Sequence, residues 1–330
     1  MANKDNKQTL SDIKTTTKSK AKKEKKVKDK KPKKVKEKKQ KPVNIVIDGS
    51  TTFDHLNFNE YKQIIDIYAT TNSLHKFRLR DDYFDVCQNY WLIDKYIAKY
   101  GLYTKDEPAN SIGAFNNAIK ENYPVTISVQ MLKDGTLVCY SEKSLAHLGM
   151  SGYLNNCMYD DIKDLGILGT TYTIPTFQEV LDTIKNQVEI VVDIINEINC
   201  GKMEEIIVNM LSRYIDKYDC YGRVAVMSAN PNSLTYCCNN FPYITRILKV
   251  SNFKDPKYAG FDTKKLSKLK YYKQSKADFI AYPHNKIPYW RLKHIKTRGL
   301  LAMSVKTQEE YMRVSKYCDN IIFSEFEPKI

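Results

Sequence analysis

VTISVQMLKDGTLVCYSEKSL, residues 125–145, opens on a run that reads as a strand, Val125–Gln130, and then turns at Asp134-Gly135. Successive side chains of a strand face opposite sides, so Ser128 and Gln130 share one face while Val125, Ile127 and Val129 share the other. This suits a barrel strand, whose apolar parity packs on helices while the polar parity lines the interior. The same grammar continues on both sides. Candidate strands are Ile93–Ala98, Val125–Gln130, Glu189–Ile194, Arg223–Met227, Thr245–Val250, Asp278–Tyr282, Gly299–Ser304 and Asn320–Phe323. Between them lie helical patterns. Met203, Ile206, Ile207, Met210, Leu211, Tyr214 and Ile215 form one apolar stripe at spacings of three and four. Two further helices open on capping boxes, Thr176-x-x-Glu179 and Thr307-x-x-Glu310. Eight strands alternating with helices over about 235 residues predict an α/β fold, a TIM (β/α)8 barrel.

Charge divides the chain differently. Its 330 residues carry a net charge of +15, and residues 1–43 alone hold 18 lysines against five acids. The remaining 287 residues are therefore close to neutral, at +2. A stretch so poor in apolar residues cannot offset its ordering entropy, so 1–43 reads as a disordered polybasic tail. Residues 44–92 form an N-terminal extension of unassigned role, with a short strand expected at 43–47 and helical spacing at Ile64, Ile65 and Tyr68. The barrel occupies 93–330.

Several classes are excluded. No run approaches 18 consecutive apolar residues, which argues against a membrane-spanning helix. The N-terminus has no apolar core of a signal peptide and no lipoprotein cysteine. Ala2 stands where N-myristoylation requires a glycine, so a cytoplasmic protein is expected. The eight cysteines, at 87, 139, 157, 200, 220, 237, 238 and 318, lack C-x-x-C spacing and read as small buried hydrophobes in a reducing compartment. The five histidines, at 55, 75, 147, 284 and 294, lack metal-ligand spacing. Lysine outnumbers arginine 45 to 8, a compositional bias that counsels against reading every lysine as selected charge.

Six segments in order carry a resemblance to a known family. WLIDKYIAKYG (91–101) resembles a strand ending "IAHRG", and EPANSIGAFNNAI (107–119) resembles "PENSLAAF". Residues 125–145 resemble "IELDVQLTKDGVLVVFHDETL", and IPTFQEVLD (174–182) resembles "IPTLEEVL". IVVDII (190–195) stands where "LIEIK" belongs, and LLAMSVKTQEEYMRVSKYCDNIIF (300–323) resembles "VLAWTVRTEEDIERAKKYADNIIF". These are the motifs of the glycerophosphodiester phosphodiesterases, which are TIM barrels. The resemblance implies a phosphoric diester hydrolase of lipid metabolism, releasing sn-glycerol 3-phosphate and an alcohol. It further implies a Mg or Ca ion held by three carboxylates, two histidines as acid and base, and an Arg and a Lys on the phosphate.

At those places this chain departs. Lys99 and Tyr100 stand for the His and Arg of "IAHRG". Ser128 and Gln130 replace two metal ligands, and Asp193 keeps the third as a shorter carboxylate. Ser141 replaces the second His beside Glu142, and Ile195 replaces the Lys. Ala109, Met227 and Met303 differ at secondary positions. A hard cation requires several anionic oxygens, and neither Ser nor Lys supplies an imidazole that titrates near neutrality. The resemblance therefore implies a catalytically inactive homologue, a pseudoenzyme without the family's metal site, acting as a binding or interaction module. A residual ligand site is expected at Lys99, Tyr100, Glu142 and Asp193, with Lys99 and Asp193 paired. Two alternatives stay open: hydrolysis by a rearranged site using Asp193, Glu142 and Lys99, and binding of RNA or a membrane surface through the tail. Expected partners are an active paralogue, or an anionic membrane at its inner face or non-specific RNA through residues 1–43. Without arginine or aromatic residues that tail has no means of sequence-specific reading.

Overall fold

The computed structural model describes residues 89–197 and 200–329, so the tail and the elements expected at 43–47 and 61–68 lie outside the described residues. The described strands are β1 Ile97–Lys99, β2 Val125–Met131, β3 Leu137–Cys139, β4 Ile190–Ile194, β5 Val224–Ser228, β6 Thr245–Lys249, β7 Lys257–Tyr258, β8 Phe261–Asp262, β9 Phe279–Pro283, β10 Gly299–Val305 and β11 Asn320–Phe323. Eight of them run parallel in the order β1-β11-β10-β9-β6-β5-β4-β2, and the pairing of β1 with β2 closes the barrel. β3 folds back antiparallel on β2, and β7 with β8 forms a hairpin after β6. The helices are α1 Ile112–Lys120, α2 Phe177–Ile184, α3 Lys202–Tyr218, α4 Pro231–Asn240, α5 Thr263–Ser267, α6 Tyr272–Ser275 and α7 Gln308–Val314.

Strand parity sorts the core into two layers. Val125, Ile127 and Val129 face outward among Phe115, Phe177 and Leu211, which sit on α1, α2 and α3. Ile97, Val191, Met227, Ile247, Phe279 and Leu301 point inward and fill the barrel. Both sets are buried, as the alternation in 125–130 requires.

One expected strand is shorter than read. Trp91–Asp94 is a helical turn, and β1 begins at Ile97. The apolar run there closes the barrel floor instead of extending a strand. Trp91 and Leu92 join the interior layer, the Trp91 indole N–H donates to Gly222 O at 2.8 Å, and Asn320 donates to Leu92 O and Lys95 O at 2.9 and 2.6 Å. The other seven expected strands each overlap an observed one, with ends that differ by at most one residue.

N-caps start two helices where the sequence suggests. Thr176 accepts from the Glu179 N–H while Glu179 accepts from the Thr176 N–H at 2.7 Å, a complete capping box. At α7, Thr307 accepts from Glu310 N, but the Glu310 carboxylate takes Lys306 N at 2.7 Å, one residue earlier. Gly101 has φ +81°, and a Cβ there would stand 2.7 Å from the Ala114 carbonyl carbon, so only glycine lets α1 sit against the end of β1.

Candidate functional site

The carboxyl ends of the parallel strands define the mouth of the barrel, where this architecture places its chemistry. β1 ends on Lys99, β2 carries Ser128 and Gln130, β4 carries Asp193, and β6 ends on Lys249. Ser128, Asp193 and Met227 are register partners across β2, β4 and β5, so they lie at one height. Asn110 buttresses this wall. Its side-chain carbonyl accepts from Ser128 N at 3.0 Å, and its backbone N–H donates to Tyr100 O at 2.9 Å.

The ion pair at the centre is not the expected one. Asp193, 1% exposed, is gripped by Lys249, whose ammonium lies 2.6 Å from each carboxylate oxygen. Lys99 instead donates to Ser304 Oγ at 3.0 Å and lies over the Tyr100 ring, 4.7 Å from its centroid. Asp193 and Glu142 remain within electrostatic reach of Lys99. Ser304 can receive Lys99 because β10 is irregular between Met303 and Val305, which leaves Ser304 at φ 61° and turns its hydroxyl to the mouth.

Lys249 is absent from the residues singled out by sequence, although its position was readable. Ile247 faces the barrel interior, and two residues on is the same face of the strand, so Lys249 belongs to the mouth by parity. Lys306 completes a basic rim and is paired with Glu325 at 2.5 Å, which also accepts from the Tyr103 hydroxyl at 3.2 Å. That pairing raises the Lys306 pKa and lowers that of Glu325.

Lys99 behaves differently. Burial, then the nearby Lys249 ammonium, lowers its pKa to about 8, and Asp193 offsets only part of this. Of the three ammonium groups, Lys249 and Lys306 contact carboxylates while Lys99 hydrogen-bonds a neutral hydroxyl. Tyr100 and Tyr258 bring phenols to the same space. Burial pushes both well above their ordinary values, and Asp193 adds to each.

Gln130 serves the scaffold. Its amide donates to Tyr140 O at 2.7 Å and Glu142 O at 2.9 Å, tying the chain after β3 to β2. Ile195 follows β4, donates its N–H to Val129 O at 3.0 Å, and with Gln130 lines a side cleft of about 440 Å³ containing Lys143 and Lys202. Ser141 is half-buried and Glu142 exposed on the loop after β3. The divalent cation that the resemblance implies does not fit this donor set. Of its three ligand positions two are neutral, and the one carboxylate is already neutralised by an ammonium. No group of three His, Cys, Asp or Glu residues suited to a metal occurs among the described residues.

The depressed pKa of Lys99 has a signed consequence. Its folded value lies below the ordinary 10.5, so charging it opposes folding. This penalty is full below pH 8 and disappears as pH rises from about 8 to 10.5. Thermal stability of the native chain, relative to Lys99→Met, should therefore rise across that window. A 13C-methyl NMR titration of the reductively methylated protein should give one lysine midpoint near 8, absent in Lys99→Met. A Lys99 midpoint above 10 would contradict the assignment.

Comparison with known proteins places this barrel. No curated protein matches the chain. Among solved structures, the Oleispira antarctica phosphodiesterase in complex with the product sn-glycerol-3-phosphate is 18% identical with a TM-score of 0.56, covering 72% of this chain and 94% of that one. A Parabacteroides distasonis glycerophosphodiester phosphodiesterase is 16% identical with a TM-score of 0.54, covering 69% of this chain and 92% of that one. The Thermotoga maritima enzyme is 14% identical with a TM-score of 0.52, covering 69% and 93%. At such identities these likenesses establish the fold. The sequence model of the glycerophosphoryl diester phosphodiesterase family matches residues 103–317, which takes in every barrel strand between β1 and β11. With six of its motif segments in order on a closed eight-stranded barrel, the chain belongs to the glycerophosphoryl diester phosphodiesterase family.

Proposed function

We propose that this barrel is a family member without metal-dependent phosphodiester hydrolysis, and that its mouth binds a small anion such as a phosphate monoester. The observation that carries the reading is the Lys249 ammonium seated on both oxygens of Asp193. That contact neutralises the one carboxylate left of the family's three. An aligned general acid and base are also missing, since Lys99 and Ser141 stand at the histidine positions, and such groups are typically worth ~10²–10⁴-fold. What the mouth retains is positive charge. Lys99 has a hydroxyl partner and a desolvated ammonium, and an anion beside it would stabilise the charged form. The chain would then act as a binding or interaction module beside active relatives.

The test is turnover of a glycerophosphodiester with Mg²⁺ or Ca²⁺, together with calorimetric titration of sn-glycerol 3-phosphate. Expected are no metal-dependent turnover and an exothermic binding signal lost in Lys99→Ala. Metal-dependent turnover abolished by Asp193→Asn would sink the reading. A second reading, hydrolysis by a rearranged site, draws on the same lysine, because an amine with a pKa of about 8 can serve as a general base. It requires metal-independent turnover that rises through pH 8 and vanishes in Lys99→Met.

A further inference from the structure

The near-neutral charge of residues 44–330 conceals a strong separation. Residues 263–298 contain eleven Lys or Arg and one acid, Asp278, a net of +10, which leaves the rest of that body at −8. Asp278 does not offset the patch from outside, because it is 3% exposed and engaged with Arg246 at 2.8 Å. A general lysine bias would enrich lysine everywhere, but it would not strip the acids from one segment.

The fold gathers seven of these eleven cations around one groove. A groove of about 1050 Å³ runs at the amino ends of β9 and β10, the end of the barrel away from Lys99 and Asp193. One wall comes from the α5–α6 segment and presents Lys268, Lys270, Lys273 and Lys276, all exposed. The other carries Trp290 and Lys296. Among the described residues none of these five lysines forms an ion pair, in contrast to Lys249 and Lys306 at the mouth. Trp290 is 62% exposed, with the Arg291 guanidinium 4.6 Å from its ring and His294 edge-on at 6.0 Å. The Trp290 indole is thus an aromatic face open to solvent beside cations that have no carboxylate partner among the described residues.

We propose that this groove binds single-stranded nucleic acid, with the lysines on successive phosphates and a base stacked on Trp290. Positive grooves with an aromatic platform suit single strands because every base offers a π-face. Duplex DNA is disfavoured, since α5 and α6 have five and four residues and offer no helix long enough to enter a major groove. A bilayer is also disfavoured. The surface is concave, and Trp290 is its one exposed large apolar side chain, whereas interfacial anchoring uses a continuous apolar face.

The test uses the full chain and a fluorescein-labelled 20-nucleotide oligo(dT), read by anisotropy against salt. Residues 1–43 add their own non-specific attraction, so groove variants must separate the two. Lys270→Glu/Lys273→Glu/Lys276→Glu should weaken binding at least tenfold and lower the slope of log K against log salt by about 2, at roughly 0.7 per phosphate contact. Emission gives a reading independent of the tail, because Trp91 is buried and Trp290 is the exposed tryptophan. Oligo(dT) should quench it, and Trp290→Phe should abolish the quenching and weaken binding about tenfold. Unchanged affinity in the triple variant with no quenching would assign all binding to the tail and overturn the proposal. So would a groove-dependent blue shift of Trp290 with phosphatidylserine vesicles but no response to oligo(dT), which would make the surface a membrane face.

Discussion

Asp278→Ala is expected to lower stability by about 3–5 kcal/mol, the range for removing one partner of a buried ion pair. Arg246 and Arg298 are 5% and 4% exposed and both approach this carboxylate, at 2.8 and 3.9 Å. Asp278 also accepts the Arg246 N–H at 3.1 Å, and its backbone takes and gives the ladder bonds that start β9 and β10. Alanine removes the charge while both guanidiniums stay buried. Arg246 is committed there by bonds to Lys276 O, Pro242 O and Ile244 O, so it cannot turn to solvent without losing three more. For a domain of this size the loss corresponds to a fall in Tm of about 10 °C, measurable by calorimetry. A change below about 1 kcal/mol would mean that the two arginines repel each other less than their burial implies.

The pair at the mouth makes the second large effect, and its signature is non-additivity. Asp193→Asn strands the Lys249 ammonium, and Lys249→Met strands the carboxylate, at side-chain exposures of 13% and 1%. Each single change should cost about 3–5 kcal/mol, with Lys249→Met at the upper end because Asp193 is the more deeply buried. The double variant should recover most of that cost, since it leaves no unpaired charge. Urea denaturation of the four proteins gives the coupling directly, and a double variant less destabilised than either single one requires it to exceed about 3 kcal/mol. Additive losses would show that Lys249 relaxes into solvent once released. The pair would then be a surface contact, and the physical basis of the binding-module reading would weaken with it.

The residues that are legible in the sequence and those that are not divide by the range of the forces involved. The parity of Val125–Gln130, the apolar stripe of α3 and the Thr176 capping box are set by neighbours within four residues, and each forms as read. Ile93 and Asp94 read as strand but belong to the helical turn Trp91–Asp94, because the turn's partners, Gly222 and Asn320, are 131 and 228 residues distant, and only a closed barrel has a floor to plug. Ser304 is invisible in the sequence as a partner for Lys99 because an unremarkable serine becomes one only through a bulge in β10.

Charge was the least legible property. As a sum it pointed to the tail. Along the chain, Lys249 is 56 residues from Asp193, and nothing local marks the two as partners. The groove lysines of 268–276 and Trp290 likewise belong to different crossover segments, brought to one rim by the parallel pairing of β6, β9 and β10. Period and motif order were sufficient for the barrel and its family, because side-chain alternation is a property of the backbone at short range. Which ammonium neutralises Asp193, which one stays without a carboxylate, and where the surplus lysines converge required the closed sheet. Coulomb energy depends on distances through space, and closure sets those distances with no trace in sequence separation.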